Sequence, residues 1–130
     1  MTNEIYMENI MDHYKSPRNF GSLENPTIKH IEYNPLCGDK IEISLLIENG
    51  KIKDIKFKGN GCSISQASTS MLLEMSNGKS IDEIKNLTKE DVFNMLSIHL
   101  SPIRIKCALL GLDTLKNAIL IHERYGEKNE

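Results

Sequence analysis

The chain has 130 residues, a net charge of −2 from 16 basic and 18 acidic side chains, and three cysteines. This length is typical of one domain with one apolar core that needs no disulfides. The near-neutral charge, without a run of like charges, excludes a nucleic-acid or membrane-surface binder, whose affinity depends on phosphate neutralisation. Because the apolar runs are far too short to span a bilayer and the first residues lack a signal-peptide pattern, we expect a cytoplasmic protein.

The first third of the chain predicts a helix followed by strands. Residues 4–14 place apolar side chains close to helical spacing before Pro17, which predicts an amphipathic helix. A weaker apolar pattern over residues 28–33 predicts an edge strand. Strict alternation over residues 40–48 predicts a second strand, and the Asn49-Gly50 pair that follows is a type I′ hairpin signal.

The strand after the hairpin needs an irregularity to keep its apolar side chains in phase. With a two-residue loop, simple pairing would turn Ile55 and Phe57 away from the core. One extra residue near Lys53 and Asp54 restores the phase, so we predict a β-bulge there. A glycine-rich turn over residues 59–62 is expected to end this strand.

The rest of the chain predicts helices. Apolar residues at helical spacing from Ile64 until Gly78 predict one helix. Two capping-box patterns, at residues 80–83 and 88–91, predict two short helices. Ser101-Pro102 begins the last helix.

This order of elements predicts an α+β fold. We expect a small antiparallel β-sheet of about three strands, with the helices packed on one face. A single domain is predicted over residues 1–125, and residues 126–130 are expected to form a disordered tail.

Each of the three cysteines lies where a thiol is expected to be reactive. Cys37 stands in a loop rich in proline and glycine, and Asp39 adds an oxygen ligand or a base two residues later. Cys62 lies at a strand-to-helix junction, where the helix dipole favours a thiolate. Cys107 lies near the start of the last helix beside Lys106, whose positive charge has the same effect.

Together with Asp39, the cysteines fit a Cys3Asp set of ligands for zinc or an iron–sulfur cluster. Their separations match neither a zinc finger nor a ferredoxin, so spacing by itself leaves burial, reactivity and metal binding open. Other chemistry has less support. The four histidines are scattered, and the glycines of residues 59–61 lack the lysine of a phosphate-binding loop.

Four short segments occur in an order that is typical of one family: Asp12-His13-Tyr14-Lys15-Ser16-Pro17-Arg18-Asn19, Cys37-Gly38-Asp39, Gly61-Cys62-Ser63-Ile64-Ser65 and Ile105-Lys106-Cys107. With them the chain resembles the IscU/NifU-type iron–sulfur cluster assembly scaffold proteins over nearly its whole length. The resemblance implies an IscU/NifU N-terminal-like fold. It also implies de novo assembly of a labile [2Fe–2S] cluster from iron and desulfurase-derived sulfur, with transfer to apo-proteins.

The resemblance also implies roles for individual residues. Cys37, Asp39, Cys62 and Cys107 match the family's ligands for the [2Fe–2S] cluster or iron, and zinc would fit the same site. Cys37 and Cys107 are the expected sulfur acceptors. Lys106 is expected to modulate the site.

The partners implied by the resemblance are a cysteine desulfurase, apo iron–sulfur acceptor proteins, an electron donor and an Hsp70-type chaperone. The family's chaperone segment is Leu-Pro-Pro-Val-Lys, whereas residues 100–104 here read Leu-Ser-Pro-Ile-Arg. The start of a helix is therefore an equally good interpretation of this segment as a chaperone-binding site. Tyr6 matches a tyrosine that the family uses in transient homo-oligomerisation, with an ordinary helix residue as the alternative.

The amino-acid sequence around Cys62 and Cys107 also resembles that of the SufU branch, which consists of zinc-dependent sulfurtransferases. That branch carries an insertion between its second and third cysteines, and this chain has no room for it. The IscU scaffolds, however, usually have histidine where Lys106 stands. The resemblance therefore implies a scaffold or carrier rather than an enzyme. The alternative is a SufU-type sulfurtransferase that accepts persulfide sulfur, and a structural zinc module is a third reading.

Overall fold

A computed structural model describes residues 2–36 and 38–128. Within these residues the chain forms a helix, three strands and four further helices: α1 (Thr2–Lys15), β1 (Ile28–Asn34), β2 (Asp39–Glu48), β3 (Lys51–Asn60), α2 (Ser63–Ser76), α3 (Ile81–Lys85), α4 (Lys89–Leu96) and α5 (Pro102–Lys128). None of the helices in this described part combines the length and the apolar character that a membrane crossing requires.

The three strands form one antiparallel sheet in the order β1-β2-β3. β1 is an edge strand, and its last residue, Asn34, lies opposite the first residue of β2, Asp39. Asn49 and Gly50 have φ angles of 55° and 74°, the positive values that a type I′ turn requires. The predicted edge strand and hairpin are therefore confirmed.

The predicted β-bulge is also present. Leu46 of β2 lies opposite Asp54. The next residue of β2, Ile47, lies opposite Ile52, so that Lys53 of β3 is the extra residue in the register. Because side chains alternate between the two faces of a strand, this single insertion returns the apolar positions of β3 to the core side.

The glycine-rich turn predicted after the third strand is wrong in its first half. β3 continues through Gly59 and Asn60, which pair with residues near the start of β2. A Cβ at Gly59 would lie only 2.1 Å from the carbonyl oxygen of Lys40. This glycine therefore permits close pairing of the strands rather than ending one. The connection to α2 consists of Gly61 and Cys62.

The helices pack on one face of the sheet, as expected for the α+β fold. α5 lies against β1 and β2, α2 lies against β3 and α5, and α1 lies against α2. The apolar stripe of α5 is buried between them: Leu109, Leu112, Leu115 and Ile119. At the crossing with α2, a Cβ on Gly111 would lie 2.4 Å from Oγ1 of Thr69, so a glycine lets the two helices approach closely.

Both predicted capping boxes are formed. The side chain of Ser80 accepts a hydrogen bond from the backbone N–H of Glu83, whose carboxylate reaches back to the backbone N–H of Ser80. Thr88 and Asp91 make the same reciprocal pair at the start of α4. These caps satisfy N–H groups that a helix start leaves without intrahelical partners.

The C-terminal end is helical further than expected. α5 continues to Lys128, so helical backbone reaches into the segment predicted as a disordered tail. Residues 129 and 130 lie outside the described ones. The single-domain boundary and the disorder of those last residues stay predictions.

Candidate metal centre

Three elements bring their ends together at one point. Asp39 is the first residue of β2, Cys62 is the N-cap of α2, and Cys107 lies in the second turn of α5. One potential ligand atom from each of these residues lies within 4.8 Å of the others. Two thiols and a carboxylate from distant parts of the sequence thus converge as the sequence predicts.

Asp39 and Cys62 are joined directly. The backbone N–H of Cys62 donates to Oδ1 of Asp39 at 3.1 Å, and its Sγ lies 3.5 Å from Oδ2. Because the N-cap amide of a helix has no partner within the helix, the carboxylate satisfies it while remaining beside the thiol. The oxygen and sulfur are therefore held next to each other before any metal arrives.

The glycine before Cys62 is a structural requirement of this arrangement. A Cβ at Gly61 would lie 2.6 Å from Oδ1 of Asp39 and 2.6 Å from Oγ of Ser65. Ser65 donates to the carbonyl oxygen of Cys62 at 3.1 Å and lies 3.9 Å from its Sγ. In the sequence, Ser65 stands out only as the last residue of the family segment around Cys62. Its position three residues after an N-cap cysteine was the signal that it would reach back to the site.

The burial of the three residues is uneven. Asp39 and Cys107 are each 2% exposed, whereas Cys62 is only partly buried. Two of the three residues are thus buried, and solvent can reach the site at Cys62. Thiolate and carboxylate donors in this arrangement suit zinc, and the thiolates suit iron in an iron–sulfur cluster. The residues present therefore fit the metal that the sequence predicts.

Cys37 lies outside the described residues, so its place in the ligand set stays a prediction. The loop around it is described on both sides. The backbone N–H of Gly38 donates to the carbonyl oxygen of Asn34 at 2.8 Å, which turns the chain back toward Asp39. Gly38 has a φ of 72°, a conformation that glycine adopts without strain. This loop therefore leads directly into the metal centre.

The remaining predicted residues lie on α1 and at the start of α5. Lys106 is exposed on α5, next to Cys107, and its modulating role stays a prediction. Tyr6 lies on α1 and is 38% exposed, and its part in oligomerisation is likewise untested. The backbone N–H of Arg104 donates to Oγ of Ser101 at 3.4 Å, which confirms that Ser101-Pro102 begins α5.

The first family segment has a structural role in holding α1 on α2. His13 is 5% exposed, and its Nδ1 lies 2.8 Å from Oγ of Ser70. The backbone N–H of Arg18 donates to the same hydroxyl at 2.8 Å, and its guanidinium pairs with Asp12 at 2.6 Å. Burial, with the nearby positive charge of Arg18, lowers the pKa of His13. The hydrogen bond from Arg18 and its charge lower the pKa of Asp12.

Comparison with known proteins agrees with this fold. Residues 5–129 match the family described as the NifU-like N terminal domain. The chain is 39% identical over 119 residues to the iron-sulfur cluster assembly enzyme IscU of Drosophila melanogaster, covering 88% of this chain and 76% of the relative. It is 33% identical over 136 residues to the zinc-dependent sulfurtransferase SufU of Bacillus subtilis, covering 92% of each.

A solved structure has the same fold. The SUF-system protein FiSufU from Fervidobacterium islandicum superposes with a TM-score of 0.76 at 32% identity, covering 92% of this chain and 99% of that one. The match extends over sheet and helices together, because it includes nearly every residue of both chains. On the family match and these relatives, the chain belongs to the NifU-like N terminal domain family.

Proposed function

We propose that this chain is an iron–sulfur cluster assembly scaffold, on which a labile [2Fe–2S] cluster is built and from which it passes to apo-proteins. The observation that carries the proposal is the convergence of Asp39, Cys62 and Cys107 from three elements onto one solvent-accessible point. Two relatives named as IscU assembly proteins, which are 39% and 42% identical to this chain, support it. Cys37 would complete the ligand set.

The sulfur enters by thiol exchange. The thiolate of the acceptor cysteine attacks the outer sulfur of a persulfide on the cysteine desulfurase, the S–S bond of that persulfide breaks, and the desulfurase cysteine leaves as a thiolate. No electrons are gained or lost in this step. Each transferred sulfur atom then needs two electrons to become the sulfide of a cluster, which is why an electron donor belongs among the partners.

Exposure favours Cys37 over Cys107 as the first acceptor. Cys107 is 2% exposed, so a persulfide on a partner protein has no direct path to its sulfur. Leu36, next to Cys37, is 64% exposed, and Gly38 on the other side is also exposed. A partner can approach this loop without displacing the core, and Cys107 then serves mainly as a ligand.

The carboxylate of Asp39 suits a cluster that must leave. An oxygen donor binds a thiophilic iron–sulfur cluster less firmly than a thiolate does. The hydrogen bond from the backbone N–H of Cys62 further draws electron density from Oδ1. We therefore assign Asp39 the weakest bond in the set, the one that opens first on transfer.

One observation favours a second function, that of a SufU-type zinc-dependent sulfurtransferase. The relative that carries this name covers 92% of the chain at 33% identity. Zinc accepts the same thiolate and carboxylate ligands, so the donor set does not separate the two functions. In this case the persulfide sulfur would pass from the acceptor cysteine to the next protein without forming a cluster.

Anaerobic reconstitution distinguishes the two functions. The full chain is given iron, cysteine and a desulfurase, and its visible spectrum is recorded with its metal content. Cluster absorption supports the scaffold, whereas a colourless protein with one equivalent of zinc supports the sulfurtransferase. A protein that unfolds when a chelator removes its zinc, as followed by circular dichroism, indicates a structural zinc module.

A matched pair of variants ties the result to the site. Cys62→Ser replaces the thiolate with a much weaker hydroxyl ligand and is expected to abolish cluster absorption. Ser63→Ala changes the next residue of the same helix start and is expected to retain it. Equal absorption in both variants contradicts the assignment of Cys62. A cytoplasmic location and the individual partners stay predictions.

A further inference from the structure

One hydroxyl group beside the metal centre makes a hydrogen bond that its helix does not require. Ser65 is fully buried in the first turn of α2, and its Oγ donates to the carbonyl oxygen of Cys62 at 3.1 Å. That carbonyl oxygen also accepts the ordinary helical hydrogen bond from the backbone N–H of Gln66 at 3.2 Å. The carbonyl is therefore satisfied without the serine, which leaves the hydroxyl available to another acceptor.

The sulfur of Cys62 is within reach of the same hydroxyl. Oγ of Ser65 lies 3.9 Å from Sγ, and Oδ2 of Asp39 lies 3.5 Å from the same sulfur. An ionised carboxylate only accepts hydrogen bonds, whereas a hydroxyl also donates them. Of these two neighbours, only Ser65 can therefore donate a hydrogen bond to a thiolate at Cys62.

The packing around Ser65 holds its hydroxyl in this place. A Cβ at Gly61 would lie 2.6 Å from Oγ of Ser65, so the glycine leaves the room that the hydroxyl occupies. The carbonyl oxygen of Ser65 accepts from Oγ1 of Thr69 at 2.7 Å, which ties the serine to the next turn of the helix. Ser65 can therefore change its acceptor by rotating its O–H bond, with little movement of the chain.

We propose that Ser65 is a positioning residue of the metal centre, whose hydroxyl turns from the carbonyl oxygen of Cys62 to its sulfur when that sulfur binds a metal as a thiolate. Hydrogen bonds from neighbouring groups commonly orient metal ligands and adjust the properties of the metal. A hydrogen bond donated to sulfur draws electron density from it and stabilises the metal-bound thiolate. This inference rests on the metal centre of the proposed function, and it holds for the scaffold and the sulfurtransferase alike.

The test uses cobalt(II), which accepts the ligands that zinc accepts and whose bonds to thiolates give a charge-transfer absorption. The metal-free full chain is titrated with cobalt chloride under anaerobic conditions. Without the donated hydrogen bond the sulfur electrons lie higher in energy, so Ser65→Ala is expected to shift this absorption to longer wavelength. Its cobalt affinity is expected to fall about tenfold, as is typical when a group that orients a metal ligand is removed.

Ser76→Ala is the matched control. Ser76 is a second fully buried serine of α2, and its Oγ donates to the carbonyl oxygen of Leu72 at 2.7 Å, at the opposite end of the helix from Cys62. Each variant loses one buried hydrogen bond from a hydroxyl to a carbonyl, so urea unfolding is expected to show a similar loss of stability in both. Only Ser65→Ala is expected to change the cobalt spectrum.

The outcomes separate the role of Ser65 from the metal centre itself. Cobalt absorption at the same wavelength in Ser65→Ala and the unmodified chain overturns the role of Ser65 and leaves the metal centre intact. An equal shift in Ser76→Ala also contradicts that role, because it would reflect packing alone. An unmodified chain that shows no thiolate-to-cobalt absorption contradicts the metal centre, and the proposed function fails together with the role of Ser65.

Discussion

The backbone N–H of Cys62 donates a 3.1 Å hydrogen bond to Oδ1 of Asp39, although 23 positions separate the two residues. The bond joins the first residue of β2 to the N-cap of α2. It therefore holds one oxygen and one sulfur donor as a pair, whether or not a metal is bound. A pre-arranged pair loses less conformational entropy when a metal binds.

Asp39→Ala is expected to slow the loss of the cluster. Without the oxygen ligand, only the thiolates hold the cluster, and their bonds to iron are firmer. The weak bond that would break first during transfer is then absent. The measurement is the decay of visible absorption after addition of a chelator or an apo-acceptor, with a half-life expected to rise several-fold. Asp82→Ala removes an exposed carboxylate on α3 and serves as the control. Faster decay in Asp39→Ala than in the control contradicts this role of Asp39.

Gly61→Ala is expected to destabilise the domain and weaken metal binding together. The added Cβ would lie 2.6 Å from Oδ1 of Asp39 and would push it away from Cys62. Crowding of this kind in a packed site costs about 1 to 3 kcal/mol. Urea unfolding gives the stability, and competition with a chromophoric chelator gives the zinc affinity. Asn60→Ala, one residue earlier and exposed, is expected to change neither the stability nor the zinc affinity. Equal effects of the two substitutions would contradict the role given to the Cβ at position 61.

The stability of the domain is expected to fall as the pH drops below about 6.5, because of His13. Its pKa is lowered from the ordinary value of 6.5 in the folded state, mainly by burial and then by Arg18, while Glu74 and Asp12 oppose this. Between the folded-state and unfolded-state pKa values of His13, the unfolded chain binds more protons than the folded one. Neutral, buried His13 therefore contributes fully to the free energy of unfolding above pH 6.5, and this contribution is lost as the pH falls.

The check is chemical denaturation across this pH range. His13→Gln removes the titrating group and is expected to flatten the pH dependence, even if the variant is less stable throughout. His99→Gln changes an exposed histidine and is expected to keep the slope of the unmodified chain. An unchanged slope in His13→Gln would mean that other groups cause it.

Two buried serines are expected to respond in opposite directions to the same substitution. Oγ of Ser44 is buried without a hydrogen-bond partner among the described residues, so Ser44→Ala should raise the free energy of unfolding by about 1 kcal/mol. Oγ of Ser68 donates to the carbonyl oxygen of Ala108 at 2.8 Å, so Ser68→Ala should lower it by about 1 kcal/mol. Thermal and urea unfolding measure both, and the same sign in both variants contradicts the explanation.

Local rules were sufficient to predict most of the secondary structure. The alternation of residues 40–48, the Asn49-Gly50 turn and the bulge near Lys53 all follow from the two-residue period of a strand. The capping boxes follow from short-range hydrogen bonding, which depends only on residues three positions apart. The extension of β3 through Gly59 was missed, because a glycine that permits close strand pairing looks the same in sequence as one that makes a turn.

The sequence by itself determined the kinds of candidate donor atom: three thiols and a carboxylate, in the order that the family shares. Only the tertiary structure decided their geometry, because the distance between Asp39, Cys62 and Cys107 depends on how α5 packs over the sheet and α2. The same holds for the buried amide of Asn34, which is an ordinary turn residue in the sequence. Its Nδ2 is buried without a hydrogen-bond partner among the described residues, and burial is a property of packing and not of composition.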